Sequence, residues 1–273
     1  MIRYLLVAAT LFTSSFFTLS QANPQPSSDD HSHVLWLGVS ALDFGYKEFS
    51  PGGDLFNRED GILPGGRLGL EYYWDNQRFT LDLTHHDGVA VYDGQTQGGT
   101  PLTTSTDETI THLSFTLGSM PETVDGTSAY WGLGYRHWRR NIRSKGRVQG
   151  LLETYMWPYV LLGLQGGVWR SDRSHLVLDG RLVYPVSAKM RVETNGFDTI
   201  TLNLKGTPGL RLALPWRTRW QRLRVELEPA LELWRITRSA AKEVTVNGAP
   251  TGYTIYEPSS TTLQPSVTLS VGF

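Results

Sequence analysis

The chain has 273 residues, no cysteine, a formal net charge of -1 and only 19% charged residues. Without Cys it can build no disulfide framework, thiolate zinc site or lipidated Cys, and its balanced charge argues against a general nucleic-acid binder. With 28 Gly and nine Trp, the composition suits many strands and tight turns rather than a helical bundle.

Met1-Ile2-Arg3 precedes an apolar run from Tyr4 to Phe17, and Ser20 and Ala22 stand three and one before a cut after residue 22. This pattern predicts a secretory signal peptide over residues 1–22, and so export. Residues 23–32, rich in Pro, Ser and Asp, are expected to form a flexible periplasmic N-terminus, and 33–273 a single domain. The first apolar run is shorter than the roughly 20 residues of a spanning helix. No later stretch reaches that length, so any membrane crossing falls to strands.

From His33 onward apolar residues recur at every second position, with Gly, Pro, Asp or Asn at the breaks, in about ten stretches. The first carries Leu35, Leu37, Val39 and Ala41; the second Leu68, Leu70, Tyr72 and Trp74. After the Asp75-Asn76-Gln77 turn, the third carries Phe79, Leu81 and Leu83. Leu113, Phe115 and Leu117 mark the fourth, Trp131, Leu133 and Tyr135 the fifth, and Leu152, Met156, Val160, Leu162 and Leu164 the sixth. The seventh has Leu176, Leu178, Leu182 and Tyr184, and the eighth Leu202 and Leu204, then Leu210, Leu212, Leu214 and Trp216. The ninth alternates Leu223, Val225, Leu227, Leu231 and Leu233 with Arg224, Glu226, Glu228 and Glu232, and the last runs through Leu263, Val267, Leu269, Val271 and Phe273.

A soluble barrel or sandwich would show the same rhythm with its apolar face inward. Three features point that face outward. Long connections, at Lys47–Gly65, Asp93–Thr106 and near Ala188 and Ala240, alternate with short ones, as external loops alternate with periplasmic turns. Tyr72, Trp74, Trp131, Trp216, Trp220 and Phe273 fall at the expected periplasmic strand ends, where an aromatic girdle belongs. Lys47, Lys145, Lys189 and Lys242 sit in or beside loops, leaving only Lys205 within a strand. The terminal run Val267-Thr268-Leu269-Ser270-Val271-Gly272-Phe273 then resembles the closing strand of Gram-negative outer-membrane β-barrel proteins. That resemblance implies an all-β, up-and-down antiparallel transmembrane barrel of about ten strands in the outer membrane, and a terminal aromatic read by the barrel-assembly machinery.

With the apolar set toward lipid, Arg67, Glu71, Asp82, Arg136, Arg140, Glu153, Asp179, Arg181, Arg211, Arg222, Arg224, Glu226, Glu228 and Glu232 face the lumen. Buried charge is tolerated when paired, so a matched Arg and carboxylate network is expected, with Tyr73, Tyr130, Trp138, Tyr155 and Tyr159 adding bulk. About ten strands leave at most a narrow path, not a diffusion pore.

The densest titratable cluster is Asp82, His85, His86 and Asp87, with His112 on the next strand. Folding the hairpin groups Asp82, His86, His112 and Ser114 inward, where they are either acid-base or metal chemistry or lumen residues satisfying one another. In size and strand number the chain resembles the omptins, outer-membrane proteases using Asp pairs and an Asp-His pair at the barrel mouth; no matching Asp-x-His motif stands here, so no catalytic residue is carried over. His31 and His33, two apart before the first strand, read as coincidence in a flexible tail rather than a metal site. Arg136, Arg139, Arg140, Arg143, Lys145 and Arg147 cluster where the fifth strand meets its external loop; Arg139, Arg140, Arg143, Lys145 and Arg147 are candidate lipopolysaccharide contacts, since Arg forks suit phosphate oxygens. The Gly-rich segment Tyr92–Pro101 and the acidic one around Asp54, Glu59 and Asp60 are candidate ligand-binding loops.

The leading expectation is a non-enzymatic surface protein acting through external loops and lipopolysaccharide contacts, with no cofactor and no nucleic-acid partner. A membrane-embedded hydrolase at the barrel mouth and a narrow solute channel are the alternatives.

Overall fold

The computed structural model describes residues 32–96, 99–120 and 126–273, and the predicted signal peptide, most of the N-terminal tail and His31 lie outside them. The described chain is a closed antiparallel barrel of ten staves. Six are single strands: β1 (Ser32–Phe49), β2 (Leu55–Trp74), β3 (Gln77–Gln95), β4 (Pro101–Ser119), β5 (Thr127–Ile142) and β6 (Leu151–Arg170). The seventh is broken into β7 (Ser174–Pro185) and β8 (Lys189–Glu193), and the eighth into β9 (Ile200–Asn203), β10 (Lys205–Gly206), β11 (Gly209–Ala213) and β12 (Trp216–Trp220). The ninth is β13 (Leu223–Thr237). A hairpin of β14 (Lys242–Val246) and β15 (Ala249–Ile255) interrupts the connection to the tenth, β16 (Ser259–Gly272), which closes on β1.

The expected sidedness holds through the membrane level. Leu37, Val39, Leu68, Leu81, Leu133, Leu162, Leu212, Leu227 and Leu269 are all exposed on the outer wall, and so are the six aromatics of the expected girdle. Above that level the pattern inverts. On β1 the outward positions become Asp43 and Lys47, while Leu42, Phe44, Tyr46 and Glu48 are buried inside. On β2 and β3 the outer wall turns mixed, with Arg58, Asp60, Asp87 and Asp93 facing out beside exposed Ile62, Val89 and Val91, while Leu63, Ala90 and Tyr92 are buried. On β1 in particular the upper wall follows the soluble rule of apolar in and polar out.

This inversion corrects the expected loops. Lys47–Gly65 and Asp93–Thr106 are mostly strand, and residues 50–54 and 96–100 alone connect β1 to β2 and β3 to β4. The 20 residues of β2, tilted about 40°, rise about 50 Å, against an apolar band of about 25 Å. Near Ala188 there is no long loop either, only the break between β7 and β8, beyond which β8 resumes pairing with β6. Leu202 and Leu204, read as lipid-facing from their alternation, are buried inside, because the irregular segment around Pro208 changes the phase of the eighth stave. Glu59, read as a loop residue, is a fully buried inward side chain of β2.

Candidate functional site

The external half of the lumen is filled. Trp138 stacks on Tyr155 with ring centroids 4.5 Å apart and meets Trp157 edge-on, and Trp157 and Tyr159 both pack on Trp234. Leu42, Phe44, Leu63 and Ile110 complete this core. The Arg136 guanidinium lies 5.2–5.8 Å from the ring centres of Trp138, Trp157 and Trp234 and donates to Gln264 Oε1 at 3.2 Å. Such stacking suits Arg, which is more weakly hydrated than an ammonium.

Outward of the aromatic layer, Arg140 gathers carboxylates from several strands. Its Nη1 reaches Glu153 Oε2 at 2.6 Å and Glu48 Oε1 at 3.2 Å, its Nη2 Glu59 Oε1 at 2.5 Å, and its Nε lies 3.8 Å from Glu108 Oε1. Glu257, from the last loop, sits beside them with its Oε1 3.0 Å from the Tyr155 hydroxyl. Burial, then the neighbouring Glu48 and Glu153, pushes the Glu257 carboxyl well above the usual carboxylate range. Glu48, Glu59, Glu108 and Glu257 were not legible as lumen residues, since they stand where the lipid-facing alternation has already stopped.

Beneath this seal lies a cavity of about 380 Å³. Its roof is apolar, with Leu42, Ile110, Leu161 and Trp234, and it reaches Arg78, Met120 and His175 toward the end that bears the short turns at residues 75–76, 171–173 and 221–222 and the described chain's termini. The expected charge network forms its walls. Arg67 pairs with Asp82 at 2.6 Å and with Glu226, Arg181 with Asp179 at 2.9 Å, and Arg211 with Glu228 at 2.5 Å. Arg217, which sequence reasoning passed over, bridges Glu71 at 3.1 Å and Glu226. Glu232 lies 3.5 Å from Arg136 and accepts from Trp234 Nε1 at 3.0 Å. Arg224 stands at the turn end of β13; Arg222, expected in the lumen, is exposed in the two-residue turn before it.

The histidine patch is assembled as expected in part. Asp82 is opposite Ser114 and Thr84 opposite His112, so Asp82, His86, His112 and Ser114 all border the cavity. His85 points outward, its Nδ1 2.9 Å from Thr111 Oγ1, and Asp87 outward likewise, accepting from Thr109 at 2.8 Å. Asp82 is committed to Arg67. The closest partner of His86 is instead Ser40 on β1, with Oγ 2.9 Å from Nε2. Ser40 and His86 both register with Gly65 of the intervening β2. A Cβ at residue 65 would lie 2.5 Å from His86 Cδ2, so only Gly lets the ring cross that strand. The site therefore lies under the seal and not at the external mouth, where the alternative reading as a hydrolase placed it. Among the described residues no group of three or more His, Asp or Glu side chains is placed to hold a metal ion.

At the external rim the basic cluster divides. Arg140 is fully buried and committed to the carboxylates, which removes it from any contact with lipopolysaccharide. Arg139, Arg143, Lys145 and Arg147 are exposed. Arg143 pairs with Asp107, which raises its pKa, and Lys145 Nζ donates to the Thr103 carbonyl. In the connection from β8 to β9, Asp198 holds the β14–β15 hairpin by accepting from Thr245 Oγ1 at 2.6 Å and from the amides of Asn247 and Gly248 at 3.1 and 2.8 Å. Those bonds lower its pKa.

No family model matches the chain, and no curated protein sequence does. Solved structures do. The outer membrane protease OmpT from Escherichia coli superposes with a TM-score of 0.63 at 12% identity, covering 90% of this chain and 97% of that one. The translocator domain of the autotransporter NalP from Neisseria meningitidis matches at 0.48 and 12%, over 89% and 88%. A major outer membrane protein from Thermus thermophilus matches at 0.41 and 11%, over 88% and 99%. At these identities the shared property is the fold. The chain has the fold of the outer-membrane β-barrels, with ten antiparallel staves, closed in one half of its lumen and hollow beneath that seal.

Proposed function

We propose that the protein is a surface-binding component of the outer membrane that acts through its external rim and loops, with Arg139, Arg143, Lys145 and Arg147 contacting lipopolysaccharide phosphates. The observation that carries this reading is the seal. A lumen closed by Trp138, Trp157, Trp234 and the Arg140 carboxylate cluster shuts the interior to molecules arriving at the external end and leaves them the rim and loops, and it weighs against the narrow-channel reading. The rim adds support. Arg139 stands four residues beyond the outward Tyr135, roughly 10 Å above that aromatic, at the height of anionic head groups. Exposed Phe197 and Tyr253 in the external connections add apolar contact area.

The test combines two measurements on the purified full chain. In planar bilayers the protein should give no unit conductance. In lipopolysaccharide co-purification, R139A/R143A should retain several-fold less than the parent. Equal retention would remove the lipopolysaccharide assignment, and stepwise conductance would replace surface binding by transport.

A further inference from the structure

The lumen carries a second, internal feature that surface binding does not use. We propose that Ser40 and His86 form a nucleophile and general-base pair that cleaves small carboxylic esters entering the cavity from the periplasmic end. The expectation of a purely non-enzymatic protein would then describe only the external end.

The geometry around the pair carries the proposal. Ser40 Oγ lies 2.9 Å from His86 Nε2, within the range at which an imidazole takes a hydroxyl proton. Gly65 opens the slot that lets the ring reach over β2, so the contact is specified by the sequence of three strands and not by one flexible side chain. His86 borders the cavity, and Ser40, inward-facing and only half-buried, stands against its ring. Leu42, two residues along from Ser40, and Ile110, opposite His86, give the acyl part of a substrate an apolar wall. A volume of about 380 Å³ suits a small molecule. With the external end sealed, the route in runs past Arg78 and His175.

In the acylation step the Ser40 proton passes to His86 Nε2 as Oγ bonds to the ester carbonyl carbon. The C–O bond to the alcohol then breaks, and the alcohol leaves with the proton held by His86. In the second step water gives a proton to His86 and its oxygen bonds to the acyl carbon. The bond from the acyl carbon to Ser40 Oγ then breaks, the acid departs, and Ser40 Oγ takes back the proton from His86 Nε2. The balance is ester plus water to acid plus alcohol.

The experiment uses the full-length chain in detergent micelles, with a fluorophosphonate probe and p-nitrophenyl acetate. Label should appear on Ser40 by peptide mass mapping, and S40A and H86A should lower ester turnover at least a hundredfold while keeping the heat-modifiable gel migration of a folded barrel. Absence of label on Ser40, or turnover unchanged in S40A, overturns the proposal. Because the chain has no cysteine, S40C introduces a single thiol. If His86 is a base toward residue 40, S40C reacts with iodoacetamide at least tenfold faster than S40C/H86A near neutral pH; equal rates would mean that the contact is merely structural. None of these readouts depends on lipopolysaccharide retention, so either reading can fail alone.

Discussion

Replacement of Arg140 by Met tests whether the seal is held by charge. The guanidinium is fully buried and has Glu48, Glu59 and Glu153 within 3.2 Å and Glu108 at 3.8 Å. Without it the carboxylates cannot all remain ionised, and the least costly escape is uptake of a proton. Neutralising a carboxyl of ordinary pKa about 4.3 at pH 7.4 costs about 4 kcal/mol, from about 1.4 kcal/mol per pH unit. This agrees with the 3–5 kcal/mol expected, to order of magnitude, when one partner is removed from a buried ion pair. The folded variant then binds one more proton than the folded parent, so its deficit shrinks as pH falls, to about 1.5 kcal/mol at pH 5.4. Urea unfolding in phospholipid vesicles, followed by tryptophan fluorescence, measures both numbers. A deficit below about 1 kcal/mol at pH 7.4, or one that ignores pH, would refute the reasoning, since cavity formation alone has no proton dependence.

Two further changes probe other parts of the barrel. Glu257 has a carboxyl pKa raised in the folded state, so its contribution is fully present below the unfolded pKa of about 4.3 and is lost as pH rises through the folded value. Glu257→Gln should therefore raise the unfolding temperature at pH 8 and change little at pH 4; a variant less stable than the parent at pH 8 would contradict the assignment. Leu133, exposed on the outer wall two residues above the girdle residue Trp131, faces acyl chains, and Leu133→Arg should cost about 1–2 kcal/mol in vesicle unfolding. A cost near zero would place that face outside lipid.

Much of this protein was legible before folding was considered. The alternation from Leu35 to Ala41, or from Leu263 to Phe273, states strand and sidedness together, because a period of two puts every second residue on one wall. That Arg67 and Asp82 belong to a charge-matched interior followed from a narrow lumen that tolerates only neutralised charge. The His86 and His112 patch followed from hairpin register, since neighbours on consecutive antiparallel strands are fixed by the turn between them.

What escaped sequence reading shares one cause. Local periodicity reports a change between inside and outside but not where lipid ends, so the inversion beyond Ala41 and Leu63 read as loop. Glu48, Glu59, Glu108 and Glu257 are far apart in the chain and meet Arg140 only because the barrel closes. Ser40 reaches His86 across a third strand, at a glycine whose meaning depends on what lies over it. Sequence by itself determined the strands, their lipid face and the sign balance of the interior, all set by nearest-neighbour periodicity and burial. Tertiary structure alone decided the seal, the height of the wall above the membrane and the partner of each buried charge, because those depend on which staves face one another across the lumen.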